Sequence, residues 1–223
     1  MCGRFTLFAS KEQIEDEFGP LHFNDTVILQ KRYNIAPTQE VTAIIEHNGK
    51  RRLGTLHWGL IPSWSKDKKI ASKLINARAE TIAEKPSFKH AFQRRRCIIP
   101  ASGFYEWKQV NGKKQPYFIY PKNKNGLFAF AGLWEKWVDR DGNALYSCTI
   151  VTTQANETLG HIHHRMPVIL PKDAYSTWLD RDADIDAVKA VLLPFSEEKI
   201  GYTKVSTFVN SATNDDARCI EPM

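Results

Sequence analysis

The sequence predicts an α+β fold with a mostly antiparallel, barrel-like β core and a few flanking helices, and three observations point there. Four Asn-Gly or Asp-Gly pairs, at 48–49, 111–112, 125–126 and 141–142, adjoin strand-like segments through the middle of the chain. Such pairs accept the left-handed backbone of a tight hairpin turn and are the strongest short-range hairpin signal. Helix start and stop signals are confined to the regions around residues 10–19 and 172–194. No repeat, low-complexity tract or Pro/Ser-rich linker divides the sequence, so residues 1–223 are expected to form one domain.

Taken in order, Ser10 with Gln13 forms a capping box and Gly19 offers a stop, which predicts a helix over residues 11–18. VTAIIEH and KRRLGTLHWG then make two arms around Asn48-Gly49. Residues 61–73 are polar and lysine-rich and are expected to be a surface loop. From 85 to 96 the chain carries Lys85, Lys89, Arg94, Arg95 and Arg96 without one acid, which suits either a solvated face or a nucleic-acid groove. QPYFIY follows the turn at 111–112, LFAFAGLWEKW the turn at 125–126, and ALYSCTIVTT the turn at 141–142. Helices are expected at 172–179 and 185–192, the second opening after Asp184 and closing before Pro194.

A chain of 223 residues, 42% hydrophobic and 25% charged, has the composition of a soluble globular protein. At this length a fold buries roughly 70% of its unfolded surface, so neither a disulfide staple nor a structural metal is needed. The net charge of +6 favours polyanionic partners in general. Cys2, Cys97, Cys148 and Cys219 are scattered, with no CxxC pair, which fits a reducing cytoplasm. The N-terminal apolar run is too short for a signal peptide, and no stretch reaches the roughly 20 apolar residues of a membrane span.

Phosphate-loop, zinc-helix and nucleophile-elbow motifs are all missing from the sequence. DRDGN at 139–143 resembles a calcium loop, but without a bidentate Glu at the required spacing a hairpin turn explains it better. His161, His163 and His164 have metal-ligand character, yet no Cys pair or acidic motif completes a set. On a strand, His161 and His163 would share one face and His164 the other.

Cys2 is the residue with the most distinctive chemistry. Met followed by a small residue suits removal of Met1, which would leave Cys2 as an N-terminal 1,2-aminothiol with Gly3 giving room around it. An α-amine titrates near 7.7–8.0 against about 10.4 for lysine, so roughly a tenth is the neutral nucleophile at pH 7. It can attack an aldehyde, and the thiol, held two carbons away, can then close a thiazolidine ring. Such chemistry also needs a group to orient the amine, a carboxylate to move protons and an acid for a leaving oxygen. Asn76, Glu106 and His163 are candidates, with a turn or cap, a surface charge at a strand end and a satisfied imidazole as their respective structural readings.

Eight segments together resemble the SOS-response-associated peptidase (SRAP) family, whose members act on abasic sites in single-stranded DNA. They are MCGRF at 1–5, YNIAPTQ at 33–39, HWGLIPSW at 57–64, INARAET at 75–81, RRCIIPASGFYEWK at 95–108, FAGLWE at 130–135, IHHRMPVIL at 162–170 and VSTFVN at 205–210. The resemblance implies that Cys2 links covalently to the ring-opened abasic aldehyde, that Asn76 positions its amine, that Glu106 transfers protons and that His163 assists opening of the deoxyribose ring. It further implies that Arg4, Arg78 and Arg165 grip phosphates and that Trp107 and Trp64 stack on or wedge between bases. The peptidase name reflects self-removal of residue 1, an amide hydrolysis that Glu106 could assist. No cofactor or metal is implied, the partner is single-stranded DNA with abasic sites, and the chain is expected to be monomeric and cytoplasmic, with no membrane association. One departure stands out: many relatives carry Asp where this chain has His161. Two other readings remain open: a non-covalent DNA-binding module, indifferent to the aldehyde, and a cysteine peptidase that cleaves other proteins.

Overall fold

The computed structural model describes residues 2–23, 27–123 and 125–223, so Met1 and its removal lie outside the described residues. Strands β1 (Phe5–Leu7), β2 (His22–Phe23), β3 (Arg32–Ile35), β4 (Glu40–His47), β5 (Lys50–Trp58), β6 (Asn76–Arg78) and β7 (Arg96–Ala101) are followed by β8 (Gly103–Val110), β9 (Lys113–Pro121), β10 (Phe128–Val138), β11 (Ala144–Gln154), β12 (Arg165–Pro167) and β13 (Ile200–Lys204). Short helices α1 (Lys11–Phe18), α2 (Lys89–Arg94), α3 (Glu157–Gly160), α4 (Tyr175–Leu179) and α5 (Ile185–Ala190) flank them. The class is α+β. No helix is long and apolar enough to cross a membrane among the described residues.

Five strands close on themselves into a barrel. β7, β4 and β5 neighbour one another, β10 lies on the other side of β7, and β11 pairs with β10. A short parallel contact between β5 and β11, His57 with Ser147 and Trp58 with Cys148, completes the ring. β6 and β12 add to β11, and β2 adds to β5. A second, antiparallel sheet runs in the order β13-β9-β8-β1-β3. Segments distant in sequence meet in the core, where the Phe5 ring packs edge-on against Trp58 at 5.2 Å and Phe130 at 5.9 Å. Edge-on packing sets the positive rim of one ring against the negative face of another.

The two sheets share one continuous segment, because β7 runs into β8 through Ser102. Ser102 N–H donates to Thr6 O at 2.7 Å, and its hydroxyl accepts from Phe8 N–H at 3.0 Å, which fixes the corner on β1. At Gly103 a Cβ would lie 2.4 Å from the Phe118 ring and 2.6 Å from Ile119 O, so only glycine fits where the strand changes sheets.

Much of the expected element order is present. α1 has the Ser10–Gln13 capping box and ends at Gly19, burying Ile14 and Phe18 one turn apart. The turns at 48–49, 111–112 and 141–142 join paired antiparallel strands, and Asp139 braces the last by accepting from the N–H groups of Asp141 and Asn143. The turn at 125–126 does not make a hairpin. β9 pairs with β8 and β13 whereas β10 pairs with β7 and β11, so that connection leads from one sheet to the other. The 61–73 segment is also less simple than a surface loop, with Ile61 buried and a 3-10 helix at Lys68–Lys73. A 3-10 turn at Lys172–Ala174 leads into α4, and α5 stops at Ala190, two residues short of the expected end.

The basic run at 85–96 is neither a groove nor wholly a solvated face. Arg96 is buried and donates to the carbonyls of Trp178, Phe92, Gln93 and Asp180, tying α2 and α4 to β7. Arg95 pairs with buried Glu135, and Arg94 bonds Asp182 at 2.7 Å. These charges serve the fold. Replacing Gly103 by Ala is expected to destabilise the protein by about 1–3 kcal/mol through overpacking against Phe118 and the Ile119 carbonyl, measured as a lower urea midpoint with an unchanged slope.

Candidate active site

The site is built around β8. Phe5 pairs with Phe104, Thr6 with Gly103, and Tyr105 N–H donates to Arg4 O at 3.0 Å. Continued toward the N-terminus, that antiparallel register brings residues 2–3 alongside Glu106 and Trp107. Glu106 is only 5% exposed, which overturns its reading as a surface charge. Burial pushes its carboxyl up to about 7, within reach of a proton exchange at neutral pH.

Cys2 is fully buried. Its thiol is held well above the ordinary range, chiefly by burial and secondly by the negative charge of Glu106, with a backbone hydrogen bond at Arg4 acting the other way. All four cysteines are free and buried. A protonated thiol close to a carboxyl is a different arrangement from a preformed thiolate.

His163 reaches Glu106 from the other side, with Nδ1 3.9 Å from Glu106 Oε1. Asn156 caps α3 by accepting from Leu159 N–H at 2.9 Å, and His163 N–H bonds Leu159 O at 3.0 Å. Residues 161–164 therefore form a turn after α3 and not a strand, so the expected alternation of the three histidines does not hold. The rings of His163 and His164 instead stack at 4.4 Å. His163 Nδ1 lies 3.0 Å from Arg165 N and 3.2 Å from Arg165 O, so the Arg165 backbone holds the ring on that side. Burial lowers the His163 pKa and favours the neutral ring. No group of three metal-binding side chains occurs among the described residues.

Asn76 opens β6, which runs parallel to β11 with Asn76 opposite Ile150. Its Nδ2 donates to Ile75 O at 3.0 Å while its Oδ1, though buried, has no hydrogen-bond partner, so it is neither a turn nor a cap. A buried acceptor without a donor carries a desolvation cost. Arg78 at the end of the same strand is exposed. Arg165, by contrast, is buried and already engaged: Nη1 and Nη2 bond Glu80 at 2.6 and 3.0 Å, and Nη2 bonds Thr152 O at 2.7 Å.

Arg4 is likewise occupied within the fold, donating to Asn34 Oδ1 and Val209 O, both at 2.8 Å, and to Asn210 O at 3.1 Å. Trp107 follows Glu106 in β8 and projects from the opposite face of the sheet, its indole N–H donating to Asn210 Oδ1 at 2.8 Å. Trp64 is 60% exposed and lines a surface cleft with Lys66, Lys69 and Lys73. Thus Cys2, Glu106 and His163 come together directly, and Asn76, Arg78 and Arg165 lie on strands that flank β11. Trp64 stands apart from both groups. Two further cavities, of about 510 and 480 Å³, share Phe195 and Lys199 in their walls and include none of the candidate residues.

Sequence reasoning missed Glu80, Asn210 and Asn34 as parts of this architecture, although each lies inside a quoted segment: INARAET, VSTFVN and YNIAPTQ. Asn34 is buried and donates to the carbonyls of Val209, Ser211 and Asn214, while Asp215 accepts from Arg32 and from Asn34 N–H at 2.8 Å. Nothing in the spacing of these residues signals that they meet.

The raised Glu106 pKa has a stability consequence whose sign is fixed. Below its ordinary value of 4.5 both folded and unfolded chains hold the proton, so the group contributes no pH dependence. Between 4.5 and about 7 the unfolded chain releases it first, so stability falls as pH rises; above 7 the cost is complete, on the order of 3 kcal/mol. Glu106→Gln is therefore expected to be more stable than the parent at pH 8 and to lose that advantage toward pH 4.5, as read from urea unfolding across that range.

The sequence model of the family described as SOS response associated peptidase (SRAP) matches residues 1–212. The chain is 46% identical over 222 residues to the abasic site processing protein YoaM of Bacillus subtilis, covering 99% of this chain and 98% of that protein. It is 39% identical over 199 residues to the abasic site processing protein HMCES of Gallus gallus, covering 79% of this chain and 59% of that longer one. Among solved structures, a protein from Bacteroides thetaiotaomicron superposes with a TM-score of 0.89 at 28% identity, covering all of both chains.

Proposed function

The chain belongs to the SOS response associated peptidase family, and from that membership we propose that it captures abasic sites in single-stranded DNA as a covalent adduct of Cys2. The observation that carries this reading is the buried Glu106, with a carboxyl titrating near 7, set against Cys2 on one side and His163 on the other. The relatives named abasic site processing protein support the choice of lesion.

Removal of Met1, by the protein itself or by an aminopeptidase, frees the Cys2 amine. The open-chain deoxyribose presents an aldehyde, to whose carbon the amine adds as its nitrogen gives up a proton. The resulting hydroxyl leaves as water on accepting a proton, which Glu106 is placed to supply. The Cys2 sulfur then bonds the imine carbon, the thiol proton passes to the ring nitrogen, and a thiazolidine results with net loss of one water. A carboxyl titrating near the working pH can serve both directions of transfer. His163 assists opening of the sugar ring, and the Asn76 Oδ1 orients the incoming ammonium or amine. Arg78 takes a phosphate directly; Arg4 and Arg165 act on the backbone from their intramolecular bonds, and Trp107 and Trp64 stack on bases. The whole chain works as one SRAP-like domain, a monomer with no cofactor.

Mixing the purified protein with a single-stranded oligonucleotide that carries an abasic site is expected to give a band that survives heat and SDS, with an intact mass equal to the sum of the parts less one water. Cys2→Ala should abolish the band; a stable adduct in that variant would sink the thiazolidine mechanism. Glu106→Gln should slow adduct formation by about 10²–10⁴-fold while leaving non-covalent binding within a few-fold, as measured by quenched time courses. Salt-sensitive binding that ignores the aldehyde would favour the non-covalent module instead.

A further inference from the structure

From the strand register we infer that β13 carries a subsite for a nucleotide flanking the lesion, in which Tyr202 stacks on its base and Lys204 takes its phosphate; this rests on the single-stranded DNA reading above. Residues directly opposite one another on antiparallel strands share a face. Glu106 on β8 is opposite Tyr117 on β9, and Tyr117 is opposite Lys204 on β13. One row over, Phe104, Ile119 and Tyr202 line up in the same way. The face that buries Glu106 therefore continues across β9 to the outermost strand.

Along that path burial gives way to exposure. Glu106 and Tyr117 are buried, Tyr202 is 40% exposed and Lys204 is exposed. The Tyr202 ring is held on both sides, at 6.1 Å from Tyr117 and edge-on at 5.4 Å from His161. A half-exposed ring fixed by two neighbours is a preformed stacking platform, because little side-chain freedom remains to be lost on binding. His161 stands two residues before His163, so the platform adjoins the catalytic turn. The occupant is a single-stranded flank, by continuity with the Glu106 face and by the charge of Lys204 next to an aromatic surface.

Binding of an oligonucleotide containing a tetrahydrofuran abasic analogue, which lacks the aldehyde, would be followed by fluorescence anisotropy with flanks shortened in turn on each side. Tyr202→Ala is expected to weaken binding of the fully flanked strand by about 10-fold, Tyr202→Phe to restore it, and parent and Tyr202→Ala to converge when the flank on one side is removed. Lys204→Gln should reduce the slope of log affinity against log salt by about 0.7, and this surface variant carries the test should Tyr202→Ala fail to fold. Failure of the parent protein to crosslink an authentic abasic strand would overturn the functional reading and the subsite with it. Crosslinking by the parent combined with unchanged binding by Tyr202→Ala and Lys204→Gln would overturn the subsite alone.

Discussion

The site depends on the pairing of residues 4–6 with residues 102–105. That short ladder is where the beginning of the chain is laid along the segment shared by barrel and second sheet, and the bonds at Ser102 and Tyr105 fix its register. A slip of one residue would turn Glu106 to the other face and put Trp107 in its place. The corner at Gly103 allows no such slip, since the bare backbone at that position is what lets Phe118 and Ile119 come close. The relation between Cys2 and Glu106 is thus a property of backbone geometry.

The fold accepts a cost to place a carboxyl there. An ionised Glu106 would be more comfortable in water, and the raised pKa expresses that discomfort. Other buried polar groups hold the fold together: Arg96 serves four carbonyls, and Asn34 and Asp215 fasten the 209–215 segment to β3. Asn76 Oδ1, by comparison, is buried without a hydrogen-bond donor.

Local signals in the sequence were legible where local chemistry decides. The capping box of α1, the Asn-Gly hairpins at 48–49 and 111–112, and the antiparallel character of the middle all follow from residues close in sequence. Asn125-Gly126 misled because a turn residue specifies a bend and not which strand pairs next; tertiary packing sent β9 and β10 to different sheets. The 85–96 run misled for a related reason, since composition does not reveal that Arg96 faces carbonyls from α4. For the site, the aminothiol logic of Cys2 is chemical and needs no fold, whereas the burial of Glu106 and the engagement of Arg4 and Arg165 depend on partners far along the chain.

The seam between β5 and β11 bears on how the molecule comes into being. It joins His57 and Trp58 to Ser147 and Cys148, residues far apart in sequence, by only two paired positions, while the neighbouring hairpins form from contiguous chain. The seam thus depends on long-range contact, whereas the hairpins depend on local turns. β6 docks on β11 in the same parallel sense, carrying Asn76 with it. Asn76 therefore reaches its place beside β11 through contacts between segments far apart in sequence, whereas Glu106 is set by the neighbouring strand of its own hairpin.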